Sequence, residues 1–160
     1  MQPRSREACG SRIEGNARVI YTVGHSSRSL EELLSILEKY GVEAVVDVRR
    51  WPVSSKYPHF NSESLKKSLE SRGYGYVWLG RELGGYREGG YERYMETEEF
   101  KRGLRALEEL ALERVVAVLC AERLWFKCHR RFIADALVKD GFKVVHIVEV
   151  GRAYEHKRRS

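Results

Sequence analysis

Apolar residues fall along this chain in short continuous runs separated by stretches of helical period, an alternation that predicts repeated strand–helix units. Val19-Ile20-Tyr21-Thr22-Val23 is a β-branched and aromatic run closed by Gly24, which reads as a buried strand. Ser29 is then placed to cap a helix with Glu31 and Glu32 in its first turn. Leu30, Leu33, Leu34 and Leu37 recur at helical spacing until Gly41 stops it. The unit repeats with a strand at Ala44 to Val48, an irregular stretch from Arg49 to Phe60 holding Pro52 and Pro58, and a helix from Ser62 to Ser71. A third strand at Tyr74 to Leu79 leads into a long Gly-rich loop, residues 80–90, and a short aromatic segment around Tyr91 and Tyr94. Thr97 caps the next helix, which carries Phe100, Leu104, Leu107 and Leu110 or Ala111 on one face. A fourth strand at Val115 to Cys120, a last helix from about Cys128 to Lys139 and a fifth strand from Val144 to Val148 or Val150 complete the pattern.

Strands that are apolar throughout need both faces covered, so the fold expected is a three-layer, doubly wound α/β domain. Its sheet is five-stranded and mostly parallel, Rossmann-like or flavodoxin-like. The expected boundaries are a flexible leader at 1–17, a single domain at 18–151 and a basic tail at 152–160 that contains Lys157, Arg158 and Arg159. No apolar run reaches the ~20 residues of a membrane span, so no membrane partner is expected. The charged N-terminus has no apolar segment behind it to act as a secretory signal, which makes the cytoplasm the expected location.

Composition adds a direction for the partner. Across 160 residues, 29 Lys and Arg against 23 Asp and Glu give a net charge of +6, which favours nucleic acid or another phosphate-bearing substrate. The three cysteines, at positions 9, 120 and 128, are too few and too scattered for a disulfide framework and read as thiols. One Gln and two Asn among abundant Glu, Arg and Lys resemble the balance of thermophile proteins.

In open parallel sheets ligands bind beyond the carboxyl ends of the strands, and here those positions are polar. They read Gly24-His25-Ser26, Asp47-Val48-Arg49 with Pro52, Leu83-Gly84-Gly85, Cys120-Ala121-Glu122, and Cys128-His129-Arg130 with Ile133-Ala134. Together and in this order, over residues 19–149, the motifs resemble the domain-of-unknown-function 488 family. The resemblance implies a small α/β protein with no assigned reaction. The basic tail lies outside it.

Three functions follow from the rim. The first is a hydrolase acting on nucleic acid or a nucleotide, by phosphate ester cleavage or base removal. His25, Asp47 and Glu122 would move protons. Ser26, Arg49, Gly84, Gly85, His129, Arg130 and Arg131 would hold phosphate, and aromatic loops at Trp51, Tyr57, Phe60, Trp78, Tyr86, Tyr91, Tyr94, Trp125 and Phe126 would stack on bases. Several of these rings have core packing as their plain alternative, Trp78 and Phe126 among them. Asp47 has its own alternative, an ion pair with Arg49 or Arg130. The second function is noncatalytic nucleic-acid binding through the same rim. The third is a thiol-dependent enzyme, in which Cys128 at a helix start beside His129, Arg130 and Arg131 is catalytic; the plain alternative is a small capping residue. Neither cysteine is followed six positions on by the Arg of a phosphatase-type loop, since those positions hold Ala134 and Phe126. Gly-x-Gly-x-x-Gly after the first strand and a P-loop are both absent. Cys120, Cys128, His129 and His25 have zinc-ligand chemistry without zinc-site spacing, so no metal ligand is assigned. A divalent ion joined by Asp47 and Glu122 remains an open alternative.

Overall fold

The computed structural model describes residues 18–157; the expected leader, Cys9 and the Arg158–Arg159 end of the tail lie outside the described residues. Strand β1 (Val19–Gly24) is followed by α1 (Leu30–Lys39), β2 (Ala44–Asp47), α2 (Ser62–Glu70) and β3 (Gly75–Trp78). Two short helices, α3 (Gly80–Leu83) and α4 (Tyr91–Tyr94), precede α5 (Glu98–Glu113), β4 (Val116–Cys120), α6 (Arg130–Lys139), β5 (Lys143–Glu149) and β6 (Arg152–Glu155). The caps are those the sequence proposes: Glu32 N–H donates to Ser29 Oγ at 3.0 Å and Phe100 N–H to Thr97 Oγ1 at 3.2 Å.

The sheet runs β3-β2-β4-β1-β5-β6, parallel except for the last pair. Right-handed crossovers explain the layers. The connections β1 to β2 and β2 to β3 move one way across the sheet and place α1 and α2 on one face. The connections β3 to β4 and β4 to β5 move back and place α5 and α6 on the other. Each face has its own core. Leu33, Ile36, Leu37, Leu65 and Leu69 meet Val45 and Leu119 on the first face. Phe100, Leu107, Ile133 and Leu137 meet Val46 and Val118 on the second. The three-layer, mostly parallel α/β fold is therefore present, and the chain reverses winding direction at the carboxyl ends of β2, β4 and β1.

Three local expectations change. The sheet has a sixth strand: residues 152–155, expected within a basic tail outside the domain, form β6, paired antiparallel with β5. As an edge strand it is mostly exposed, so its Arg-Ala-Tyr-Glu sequence carries no apolar run to announce it. The Gly-rich stretch opens as the helical turn α3 before becoming loop. The last helix begins at Arg130, two residues later than expected, because Trp125–Lys127 forms a separate 3-10 turn that ends at Cys128.

Gly24 shows how tightly the strand ends pack. A Cβ there would lie 1.8 Å from the Glu122 carbonyl oxygen and 2.9 Å from Arg123 Cα. Gly24→Ala is expected to destabilise the protein by about 3 kcal/mol, read as a lower urea midpoint. An unchanged midpoint would mean that the β4–α6 loop does not rest on β1.

Candidate functional site

The reversal of winding leaves a cavity of about 680 Å³ at the carboxyl ends of β1, β2 and β4. Of the residues expected to be functional, His25, Arg49, Gly85, Glu122, Cys128 and His129 line it; Ser26, Asp47, Gly84, Arg130 and Arg131 do not. Arg50, Trp51, Tyr86 and Lys127 complete its mouth.

Asp47 is fully buried beneath the cavity. Its Oδ1 accepts from Arg49 N at 3.1 Å and Arg49 Nε at 2.9 Å. Its Oδ2 accepts from Arg49 Nη2 at 2.7 Å and the Tyr76 hydroxyl at 2.6 Å. Burial works against the Arg49 charge, and the Asp47 carboxylate overrides that effect and raises the pKa. The remaining arm of Arg49 donates to His25 Nε2 at 3.2 Å. A guanidinium can only donate, so Nε2 is an acceptor, the His25 proton sits on Nδ1, and that proton is donated to the Ser26 carbonyl at 3.0 Å. The ring is neutral and stacks on Phe60 at 4.5 Å. Burial is the main reason its pKa falls to about 4. The ion pair weighed for Asp47 is thus real; it takes up Asp47, most of Arg49 and His25 Nε2, while the Ser26 carbonyl holds His25 Nδ1.

A neutral buried imidazole has a consequence for stability. Because the folded pKa of His25 lies below the usual 6.5, the unfolded chain binds the extra proton between those values and stability falls as pH falls. Relative to a His25→Gln variant, wild type is expected to lose roughly 2 kcal/mol more between pH 7 and pH 4.5. Urea titrations at the two pH values measure this. Equal losses would mean that His25 takes up its proton in the folded state.

Arg130, a phosphate candidate in the sequence, points away from the cavity and is 1% exposed. It donates to Thr22 Oγ1 at 2.9 Å, to the Glu122 carbonyl at 2.7 Å and to the Arg123 carbonyl at 3.2 Å. Behind it runs a buried relay in which Thr22 Oγ1 lies 2.6 Å from His146 Nδ1, His146 Nε2 lies 2.9 Å from His156 Nδ1, and His156 Nε2 lies 2.7 Å from Asp135 Oδ1. Trp125 stacks flat on His146 at 4.3 Å. Arg130 and Trp125 therefore fix the loop that joins β4 to α6, which carries the remaining chemistry.

That loop brings Cys120, the last residue of β4, and Cys128 together with Sγ atoms 3.0 Å apart. Cys128 Sγ is also 3.5 Å from His129 Nδ1 and accepts from the Arg130 backbone N–H at 3.5 Å. His129 Nε2 faces the Val48 carbonyl at 3.1 Å, an acceptor that requires a proton on Nε2. The ring is thereby oriented with Nδ1 toward the thiol, in contact with Tyr91 at 5.4 Å. A Cβ on Gly85 would lie 3.1 Å from His129 Nδ1, so that glycine gives the ring its space. The Cys120 hydrogen bond is the main influence drawing the Cys128 thiol well below the ordinary thiol range; burial opposes it, and the hydrogen bond and charge of His129 add to it. Burial raises Cys120, which makes it the donor of the pair.

The other expected groups are peripheral. Glu122 is exposed at the cavity edge, its carboxylate accepting from Leu124 N–H at 3.2 Å. Arg131 is exposed over the Phe132 ring at 4.6 Å. Gly84 is pressed against Arg50 and the Gly80 carbonyl, where a Cβ has no room. Trp78 and Phe126, weighed as core, are 39% and 48% exposed. Trp51 and Tyr86 meet in a tilted ring contact at 5.6 Å at the cavity mouth, whereas Tyr91 and Phe60 are core. Of the zinc set, Cys120, Cys128 and His129 do come together, but among the described residues no three His, Cys, Asp or Glu side chains are grouped so as to hold a metal ion. Among the described residues no helix is long and apolar enough to cross a membrane.

Sequence reasoning missed Arg50 and Lys127 at the mouth, Tyr76 on Asp47, and Cys120 as the partner of Cys128. Cys120 ends a strand and Cys128 follows a 3-10 turn; only the path of the connecting loop joins them. Comparison with known proteins finds no matching curated protein and no matching solved structure. The family described as Domain of unknown function DUF488 does match, over residues 29–137, a span that holds Asp47, the Gly84–Gly85 pair and both thiols but leaves the Gly24-His25-Ser26 motif outside. With two thirds of its length in that match, the chain belongs to the domain of unknown function DUF488 family.

Proposed function

We propose that this protein is a thiol-dependent enzyme in which Cys128 is the nucleophile and His129 its proton partner, acting on a small molecule bound in the strand-end cavity. The observation that carries the reading is the placement of Cys128 Sγ at the cavity wall, 3.0 Å from the Cys120 thiol and 3.5 Å from an imidazole anchored by Val48. A nucleophilic thiol needs a proton acceptor within reach, a third group that orients that acceptor, and access to a ligand. Those roles fall to His129, Val48 and the cavity. A hydrolase working through His25 and Asp47 has less support, because Asp47 already accepts from Arg49 and Tyr76, and His25 has both ring nitrogens engaged. Phosphate capture by Arg49 and Arg130 has less support for the same reason. The cavity volume of about 680 Å³ suits a ligand of metabolite size rather than a nucleic-acid strand.

The test is site-selective labelling of the full chain with substoichiometric iodoacetamide at pH 6.5, mapped by peptide mass. Label is expected on Cys128 in preference to Cys9 and Cys120, and Cys128→Ser is expected to lose it. Label on Cys9 with Cys128 untouched would overturn the reading.

A further inference from the structure

We infer that Cys120 and Cys128 form a dithiol–disulfide couple, and that the thiol chemistry of this site is exchange with a low-molecular-weight disulfide bearing charged ends. This rests on the reading of Cys128 as the nucleophile and adds a second reacting residue, Cys120, together with a substrate class.

The juxtaposition is the first support. Two thiols eight positions apart in sequence face each other at 3.0 Å, so a bond of ~2.05 Å requires a movement of only about 1 Å. The asymmetry of the pair is the second. Both thiols line the cavity, but Cys128 is only half-buried, whereas Cys120, which ends β4, is 2% exposed. An incoming disulfide meets Cys128 first, and the thiol nearest to the resulting mixed disulfide is Cys120. The cavity is the third. Its mouth carries side chains of both charges, Arg50 and Lys127 against Glu122, beside the exposed ring of Trp51. A zwitterionic disulfide matches such a mouth better than an uncharged one.

The chemistry balances in two steps. The Cys128 thiolate attacks one sulfur of R–S–S–R, forming Cys128–S–S–R and expelling RS⁻. Cys120 then gives up its proton and attacks Cys128 Sγ, forming the Cys120–Cys128 disulfide and expelling the second RS⁻. Both thiolates take up protons, one of them from Cys120, to leave as RSH. The protein dithiol is oxidised by two electrons and the substrate disulfide is reduced by two. An external dithiol reductant restores the resting pair.

The test uses the reduced full-length chain carrying Cys9→Ser, treated with excess cystine at pH 7 and followed by intact mass and peptide mapping. The expected product has lost two hydrogens, carries a Cys120–Cys128 crosslink, and is accompanied by two equivalents of cysteine. With Cys120→Ser added, a cysteine adduct is expected to persist on Cys128. Cystine is expected to react about tenfold faster than the uncharged 2-hydroxyethyl disulfide, and equal rates would overturn the substrate class. A mixed disulfide that accumulates on Cys128 while Cys120 stays reduced would overturn the couple and leave the nucleophile intact. Cys128 inert to both disulfides would overturn the couple and the proposed function together. The wild-type-like mapping needs no substitution at either thiol, so it reads the couple even if Cys120→Ser folds poorly.

Discussion

Asp47→Ala is expected to lower stability by about 4 kcal/mol, because it removes the carboxylate bonded to Arg49 and strands that guanidinium with 6% exposure beneath the cavity. For a domain of this size that corresponds to a fall in Tm of roughly 10 °C. The loss comes from the uncompensated Arg49 charge and from the Tyr76 hydroxyl, which loses the acceptor it holds at 2.6 Å. Replacing both partners by apolar residues, as in Asp47→Val with Arg49→Met, is expected to recover much of the loss, since neither charge then remains buried. Thermal and urea unfolding of the single and double variants measure both effects. If Asp47→Ala keeps wild-type stability, Asp47 is not a structural residue, and the hydrolytic reading of the rim regains its strongest member.

His129→Ala is expected to slow alkylation of Cys128 at pH 6 by about tenfold to a hundredfold, with the rates converging in strongly alkaline solution. The substitution removes the ring nitrogen 3.5 Å from Cys128 Sγ, whose hydrogen bond and charge both favour the thiolate. Once the solution is alkaline enough to ionise an ordinary thiol, that help is no longer required. The convergence separates a proton partner from a merely structural ring, because a collapsed site would change the rate at every pH. Wild-type reactivity at pH 6 would show that Cys120 alone holds the thiolate.

The layers of the fold were readable because they are built from long apolar periods. Val116 to Cys120 is buried on both faces, and the Thr97 and Ser29 caps sit where short polar side chains precede leucine-rich turns. β6 was not readable, since an exposed edge strand has no core face to impose a pattern on it. A cavity lies where the rule that ligands gather at strand ends points, and Cys128, His129, His25 and Glu122 line it. The roles of individual residues followed less well. The Asp47–Arg49 ion pair was among the alternatives the sequence offered, but residue type does not reveal that Tyr76 joins it, nor that Arg130 turns inward to hold the Glu122 and Arg123 carbonyls. Buried charges resolve into pairs according to backbone path, and the same holds for thiols. Cys120 became the partner of Cys128 through a loop whose course is set by Arg130 and by Trp125 lying on His146.

In the proposed function Cys128 rests as a thiolate beside Cys120 and His129. The pH dependence of its alkylation by iodoacetamide, followed in the full chain with Cys9→Ser between pH 5 and pH 9, tests it most directly. A thiol held well below its ordinary range gives a rate nearly independent of pH from 6 upward. A rate that instead climbs about tenfold per pH unit until it levels near 8.5 would describe an unperturbed thiol and rule out a resting thiolate at Cys128.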